Sequence, residues 1–257
     1  SRSYISILLK NKNYKPRVIL YLKENNLPNF LNSYFDFKKN NYYPLKFLKD
    51  KNIHFLISQL EEYFDFEKGL ITSFYRYDNL KNFNKTYIKS NSINSKKSIQ
   101  LLSNLECDSN LITTNEILKE NLLNTKNKFY HIHPGYLPVF RGADCSLHSI
   151  LKSKEIGSTF FKISNEIDKG EIKDRIKKNF FKFRLKNLES YQPLDLYRIW
   201  FSFFDNSLRA YHFNNLLNTN TNTKSAKSIK ETEEVSQYFT FLEKKHLKEV
   251  FNDIFYD

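Results

Sequence analysis

Apolar residues along the first 170 positions occur in short runs that alternate with segments of helical spacing. A short continuous apolar run predicts a buried strand, whereas apolar residues at every third or fourth position predict an amphipathic helix. The predicted strands are 17–22, 54–57, 69–71, 109–114, 128–133 and 158–164, and the predicted helices are 5–10, 95–105, 116–123 and 143–153. Alternation of this kind predicts an α/β fold with a mostly parallel sheet.

The pattern changes after about residue 175. An aromatic-rich segment at 193–217 predicts one long helix, a polar stretch at 218–227 predicts a linker, and 237–241 predicts a late strand. We therefore divide the chain into a catalytic core, 1–175, and a small C-terminal helix-and-strand extension, 176–257.

The predicted helix 5–10 leads directly into the predicted strand 17–22. In an α/β fold such a helix usually follows an earlier strand, as part of a βαβ unit. We therefore expect that the first strand of the core is missing from the sequence given.

Lysine supplies most of the net charge of +13 and is spread along the 257 residues rather than gathered in one stripe. Such a distribution favours anionic ligands in general and does not favour nucleic acid as a partner. The chain has only two cysteines, Cys107 and Cys145, which excludes a disulfide scaffold and suits a reducing compartment. Because no apolar run approaches a membrane span, we expect a cytoplasmic protein without a membrane partner.

Glycine and proline are rare in this chain and are concentrated in one region. The chain has five glycines and six prolines. Six of these eleven residues lie between positions 134 and 170, namely Pro134, Gly135, Pro138, Gly142, Gly157 and Gly170. Glycine permits backbone conformations that other residues avoid, and proline fixes φ. The concentration predicts loops of special shape, and such loops often carry function.

Two histidines and one aspartate lie at predicted strand ends in the same region. His131 and His133 share one face of a strand, because side chains alternate along it. His133 and Asp168 both follow predicted strands, and ligands of open α/β sheets bind at the carboxyl ends of strands. A histidine oriented by a carboxylate is suited to general acid–base chemistry.

A metal site is the competing interpretation of these residues. A His-x-His pair on a strand, here His131 and His133, is common among metal sites, and Asp144 or Asp168 could be a third ligand. Such a site would carry out metal-dependent hydrolysis of an amide or ester. No fourth ligand follows at a fixed spacing, so we assign no metal-binding residues.

Three motif blocks occur in order between residues 133 and 172. They are His133-Pro134-Gly135-Tyr136-Leu137-Pro138-x-x-Arg141-Gly142-Ala143-Asp144, then Gly157-x-Thr159, then Ile167-Asp168-x-Gly170-x-Ile172. This arrangement resembles the 10-formyltetrahydrofolate-dependent formyltransferases, and the clear match covers about 109–172. The resemblance implies a Rossmann-like core and transfer of a formyl group from 10-formyltetrahydrofolate, the co-substrate, to a primary amine.

The resemblance implies a catalytic trio of His133, Asp168 and His131. The family carries Asn-x-His followed by an Asp, and His131 occupies the position of that Asn. A histidine Nε2–H could donate to the oxygen of the tetrahedral intermediate in its place. Phe161 stands where the family often has a histidine, and Thr159 would support Asp168.

The resemblance also implies which residues hold the folate. The segment Glu116, Ile117 and Leu118 matches the stretch whose backbone reads the pterin ring. Asn165 and Glu166, in the loop before Asp168, would line the opposite side.

The extension 176–257 points to the branch of the family most like this chain. It is a poor match to the barrel that grips tRNA in methionyl-tRNA formyltransferases, and Gly135 replaces the serine usual in the glycinamide-ribonucleotide enzyme. We therefore expect the amine of a nucleotide-linked amino sugar as acceptor, for synthesis of surface glycans such as lipopolysaccharide, and possible homodimerisation. Methionyl-tRNA and glycinamide ribonucleotide are the alternative acceptors. Tyr136, Tyr197 and Trp200 could stack on a base or sugar, with core packing as the alternative for Trp200.

Overall fold

The computed structural model describes most of the chain. The described residues are 2–11, 14, 16–23, 43–76, 81–105, 107, 109–114, 116–219 and 235–257. Most of the predicted linker at 218–227 lies outside them. Within these ranges no helix combines the length and the apolar character that crossing a membrane requires.

The fold is mixed α/β, as the sequence predicts. The helices are α1 (Arg2–Lys10), α2 (Tyr43–Phe47), α3 (Lys51–Tyr63), α4 (Leu70–Ser73), α5 (Lys96–Ser103), α6 (Glu120–Leu123), α7 (Cys145–Ser153), α8 (Pro193–Ile199), α9 (Asn206–Asn218) and α10 (Leu247–Ile254). The strands are β1 (Val18–Lys23), β2 (Lys85–Ser90), β3 (Ser109–Leu111), β4 (Lys128–His133), β5 (Phe140–Gly142), β6 (Glu155–Lys162), β7 (Glu171–Asn179), β8 (Phe183–Arg184), β9 (Gln237–Phe239) and β10 (Phe255–Tyr256).

The central sheet has four strands in the order β3-β4-β6-β7. β3 and β4 are parallel, whereas β6 runs antiparallel to β4 and β7 runs antiparallel to β6. Three further pairs, β1 with β2, β5 with β9 and β8 with β10, are parallel. Parallel pairing therefore predominates among the described strands, but the strand that carries the two histidines lies at the boundary between the parallel and antiparallel parts.

Two of the short predicted strands are wrong, because 54–57 lies inside α3 and 69–71 overlaps α4. The apolar run at 54–57 is one part of a longer helical stripe. The apolar members of that stripe are buried, namely Ile53, Leu56, Ile57 and Leu60. Five strands, β2, β5, β7, β8 and β10, were not predicted, and the predicted helix at 116–123 is reduced to α6.

The predicted long helix at 193–217 forms as α8, a π-helical segment (Trp200–Asp205) and α9 in succession. Trp200 is 1% exposed and stacks on Phe204 within the largest apolar core. That core joins residues from α3 and α4 with residues from α8 to α10. The boundary proposed at 175 falls inside β7, and the division into two domains remains a prediction.

Candidate active site

His133 and Asp168 lie together at the end of β4. The Nδ1 atom of His133 is 3.6 Å from Oδ1 of Asp168. His133 is only 3% exposed, and the side chain of Asp168 is largely buried as well. The fold thus brings together the two residues that the sequence paired.

Asp168 reaches His133 by a route that the sequence interpretation did not anticipate. The expectation was that both residues follow the carboxyl ends of parallel strands. Instead β6 is antiparallel to β4, with Thr159 opposite His133 and Lys162 opposite Tyr130. The chain must therefore fold back in the loop between β6 and β7, where Asp168 has a φ of 53°.

The loop after β4 closes around this pair. The Gly142 N–H donates to Oδ2 of Asp168 over 2.9 Å, and Nε2 of His133 lies 2.9 Å from the Phe140 carbonyl oxygen. A carbonyl only accepts, so Nε2 carries the hydrogen in this contact. Burial lowers the pKa of His133, and the negative charge of Asp168 opposes that effect. The neutral ring therefore has its lone pair at Nδ1, on the side of Asp168.

His131 is held by its other nitrogen. Its Nδ1 donates to the carbonyl oxygen of Ile112, just after β3, over 3.0 Å, and its ring packs edge-on against Phe161. Burial is the main cause that lowers the pKa of His131 to about 4, so the ring is neutral at pH 7. Its Nε2 is then an acceptor. The donor role expected of Nε2 is therefore not available while Nδ1 makes this bond.

Thr159 supports the turn after His133 rather than Asp168. Its hydroxyl donates to the Gly135 carbonyl over 2.8 Å and accepts from the Leu137 N–H over 2.9 Å. The interpretation that Thr159 supports the aspartate is wrong, because its hydroxyl is used by the turn that shapes the loop.

His212 of α9 supports β4 from behind and was not predicted from the sequence. It is fully buried, with Nδ1 3.0 Å from the Ser158 hydroxyl and Nε2 3.2 Å from Asp174. Ser158 in turn donates to the carbonyl oxygen of His133. No sequence signal marked this chain of contacts, because its members are far apart and none lies in a motif with His212.

The C-terminal segment adds a strand to the loop after β4. β9 pairs with β5, and the Ala143 N–H donates to the Phe239 carbonyl over 2.9 Å. Tyr238 is 58% exposed, and its ring lies beside Gly142, where an added Cβ would be 3.1 Å from it. An exposed aromatic ring therefore stands next to the residue whose N–H holds Asp168.

Asp144 anchors this segment. Its carboxylate accepts from the Tyr197 hydroxyl over 2.9 Å and from the Leu242 N–H over 2.8 Å. Tyr197 and Trp200, considered above as stacking groups, are thus used within the fold. The adjacent Cys145 is buried, and burial raises the pKa of its thiol, which does not suit a nucleophile.

The predicted folate segment is firmly held. The Glu116 carboxylate accepts from the Tyr21 hydroxyl and from the Ser92 hydroxyl, each over 2.9 Å. Leu118 is buried in a core cluster, while Ile117 is 57% exposed. The pterin-reading role of these residues remains a prediction.

The second predicted folate segment lies against the first. Asn165 Nδ2 donates to the carboxylate of Glu120 at the start of α6 over 3.2 Å. Glu166 is exposed and pairs with Lys169. The side chain of Ile167, which lies between Glu166 and Asp168 in the chain, is 46% exposed.

The competing metal site lacks a set of donors. Within the described ranges no group of three or more His, Cys, Asp or Glu side chains could hold a metal ion. His131 and His133 each direct one ring nitrogen at a backbone carbonyl.

No protein-family model matches the chain, and no curated protein matches it in sequence. Solved structures do match. HypX from Aquifex aeolicus in complex with tetrahydrofolic acid is 15% identical, covers 66% of this chain and has a TM-score of 0.43. This chain spans 27% of that HypX chain.

Two further matching structures are those of proteins named formyltransferases. The N-formyltransferase from Helicobacter canadensis, in complex with folinic acid and dTDP-3-aminofucose, is 24% identical over 50% of this chain and 43% of its own, with a TM-score of 0.36. The methionyl-tRNA formyltransferase from Clostridium thermocellum is 13% identical over 94% of this chain and 82% of its own, with a TM-score of 0.46.

Proposed function

We propose that this chain is an N-formyltransferase that moves the formyl group of 10-formyltetrahydrofolate to a primary amine. The observation that carries the proposal is the buried contact between His133 and Asp168, with the Asp168 carboxylate also held by Gly142. The first and third motif blocks meet at this contact, and Thr159 of the second block lies opposite His133 in the sheet and bonds to the turn after it. A histidine with a carboxylate at a strand end is suited to moving protons during attack by an amine.

The donor side of the site is proposed to lie between 116–123 and 164–168. The Asn165–Glu120 hydrogen bond joins these segments, and each segment exposes a large apolar side chain, Ile117 in one and Ile167 in the other. Exposed apolar side chains at a polar junction fit a flat heteroaromatic ring with a hydrogen-bonding edge, such as a pterin. The folate supplies the activated formyl group, and the chain orients it.

His133 acts at the formyl oxygen in this proposal. Its Nε2–H, which donates to the Phe140 carbonyl in the present structure, is the group that can donate to a developing oxyanion when the loop rearranges on binding. Asp168 favours the protonated ring because its charge lies beside Nδ1,. Holding both substrates in one site supplies much of the rate enhancement.

The acceptor we propose is the amine of a nucleotide-linked amino sugar. The supporting observation is the Tyr238 ring, which stands exposed beside Gly142 and can stack on a sugar or base,. The net charge of +13 also favours a substrate that carries phosphates,.

The test is formyl transfer by the full chain. We would supply 10-formyltetrahydrofolate with a panel of nucleotide-linked amino sugars, methionyl-tRNA and glycinamide ribonucleotide, and follow tetrahydrofolate release and acceptor mass. His133→Ala and Asp168→Asn should each lower kcat by about 10²–10⁴-fold. The matched controls are His54→Ala and Asp253→Asn, since both positions are solvent-exposed and outside the site.

The outcomes are distinguishable. Turnover of an amino sugar that depends on His133 and Asp168 supports the proposal. Turnover only of methionyl-tRNA or glycinamide ribonucleotide would retain the donor and overturn the acceptor. No turnover of any amine, together with no binding of folinic acid, would overturn the formyltransferase function.

A further inference from the structure

The two histidines of β4 differ in how many of their ring nitrogens face an oxygen atom of the protein. Both nitrogens of His133 face oxygen atoms, those of Asp168 and Phe140. The Nε2 of His131 makes no hydrogen bond within the part of the chain that the structure describes, and it is not among the fully enclosed polar atoms that lack a partner there. Of the four ring nitrogens, this is the one that a substrate reaches without displacing a protein contact.

The hydrogen bond on the other side of the ring determines what that nitrogen can do. Because the Ile112 carbonyl can only accept, Nδ1 of His131 must carry a hydrogen,. A neutral imidazole has one N–H, so Nε2 holds the lone pair. His131 therefore presents a proton acceptor to the site.

We propose that Nε2 of His131 accepts the proton of the attacking amine and passes it to N10 of the folate. This role rests on the proposed formyl transfer, and it adds a proton carrier at the position where the resembling family has an amide. An amide oxygen can accept a hydrogen bond, but it does not carry a proton between two nitrogens as an imidazole does.

The proton balance is complete without any other reactant. The amine lone pair forms a bond to the formyl carbon while one C=O electron pair moves to oxygen, and the amine N–H proton moves to Nε2. When the C=O pair returns, the bond from carbon to N10 breaks, and N10 receives the proton from Nε2. The amine has lost one hydrogen, N10 has gained one, and His131 is neutral again.

The surroundings of His131 lower its pKa, so its protonated form gives up the proton more readily than an ordinary imidazolium. The charged or titratable groups that act on it are His133 on its own strand, Arg209 of α9 and Asp168 of the β6–β7 loop. Burial is the largest influence and, with His133 and Arg209, lowers the pKa to about 4. The hydrogen bond to the Ile112 carbonyl and the charge of Asp168 oppose this shift. N10 is attached to an aromatic ring and is weakly basic, so a proton donor with a lowered pKa favours its departure.

The experiment compares His131→Ala and His131→Gln with the wild type. His131→Ala should lose about 100-fold or more in kcat, with the KM for 10-formyltetrahydrofolate nearly unchanged, and added imidazole should restore turnover in proportion to its concentration. His131→Gln should lose a similar factor, because glutamine accepts a hydrogen bond but cannot take the proton. His54→Gln is the matched control, since His54 lies on the exposed side of α3.

A measurement independent of turnover tests the tautomer. Nitrogen NMR of the histidine-labelled wild type should show His131 with hydrogen on Nδ1 and a bare Nε2 at pH 7. Hydrogen on Nε2 would overturn the proposal whatever the activity.

The remaining outcomes separate this role from the proposed function. Wild-type turnover with an undiminished His131→Gln rate overturns the role of His131 alone. Wild-type turnover with a loss in His131→Ala that imidazole does not restore assigns His131 a structural part and also overturns the role. If the wild type transfers no formyl group to any amine, the proposed function fails and this role fails with it, while the NMR result still reports the geometry.

Discussion

Replacing Gly142 with alanine adds one methyl group where β5 meets β9. Gly142 has a φ of 95°, and an added Cβ would lie 2.2 Å from the Phe239 carbonyl oxygen. The methyl group cannot fit unless β9 moves away. We therefore expect Gly142→Ala to separate β9 from β5.

The magnitude follows from two costs. A left-handed backbone conformation costs a non-glycine residue about 1–2 kcal/mol. Moving β9 also breaks the hydrogen bond from Ala143 N–H to Phe239, which is worth about 0.5–1.5 kcal/mol. Gly142→Ala should therefore lower the free energy of unfolding by about 2–3 kcal/mol.

Gly69→Ala is the matched control for this change. Gly69 also has a positive φ, 87°, but the nearest atom to its added Cβ is the Thr72 hydroxyl at 3.9 Å. It should show only the backbone cost of about 1–2 kcal/mol.

The assay is urea unfolding of the wild type and both variants, with hydrogen exchange of the Ala143 amide as a local reporter. Gly142→Ala should lose more stability than Gly69→Ala by about 1 kcal/mol, and only Gly142→Ala should lose protection at Ala143. Equal losses in the two variants, or full protection at Ala143 in Gly142→Ala, would show that β9 is not attached as described.

Three further predictions concern single side chains. Folding lowers the pKa of His131 from 6.5 to about 4, so the unfolded chain takes up this proton first as the pH falls. Between pH 7 and pH 4 the wild type should therefore lose roughly 3 kcal/mol more stability in urea unfolding than His131→Gln, and equal losses would contradict the shift. If the Tyr238 ring stacks on the acceptor, Tyr238→Ala should raise the KM for the acceptor about 2–10-fold with little change in kcat. Tyr256 is also exposed, and Tyr256→Ala should leave both kinetic constants unchanged. A thiol reagent should label the exposed Cys107 rapidly and the buried Cys145 only on unfolding,; rapid labelling of two thiols would refute the burial.

The sequence predicted several of the longer elements and paired His133 with Asp168, but it missed α3 and β7. β4, α7 and the helical run from Pro193 were predicted because a periodic apolar pattern is local and can be counted along the chain,. The short runs at 54–57 and 69–71 were assigned wrongly, since a few apolar residues fit a buried strand and a helical stripe equally well,.

The concentration of glycine and proline between 134 and 170, together with the motif blocks, led us to propose His131, His133 and Asp168 as candidate site residues, and their catalytic role remains a prediction. The tertiary structure alone determined how Asp168 reaches His133, because the direction of β6 depends on pairing between distant strands. It also placed Tyr238 and His212 around β4 and its loop, and it fixed the hydrogen of His131 on Nδ1 through the Ile112 carbonyl. A sequence records which groups are available, but the state of a titratable side chain depends on neighbours that only the folded chain brings within a few ångströms.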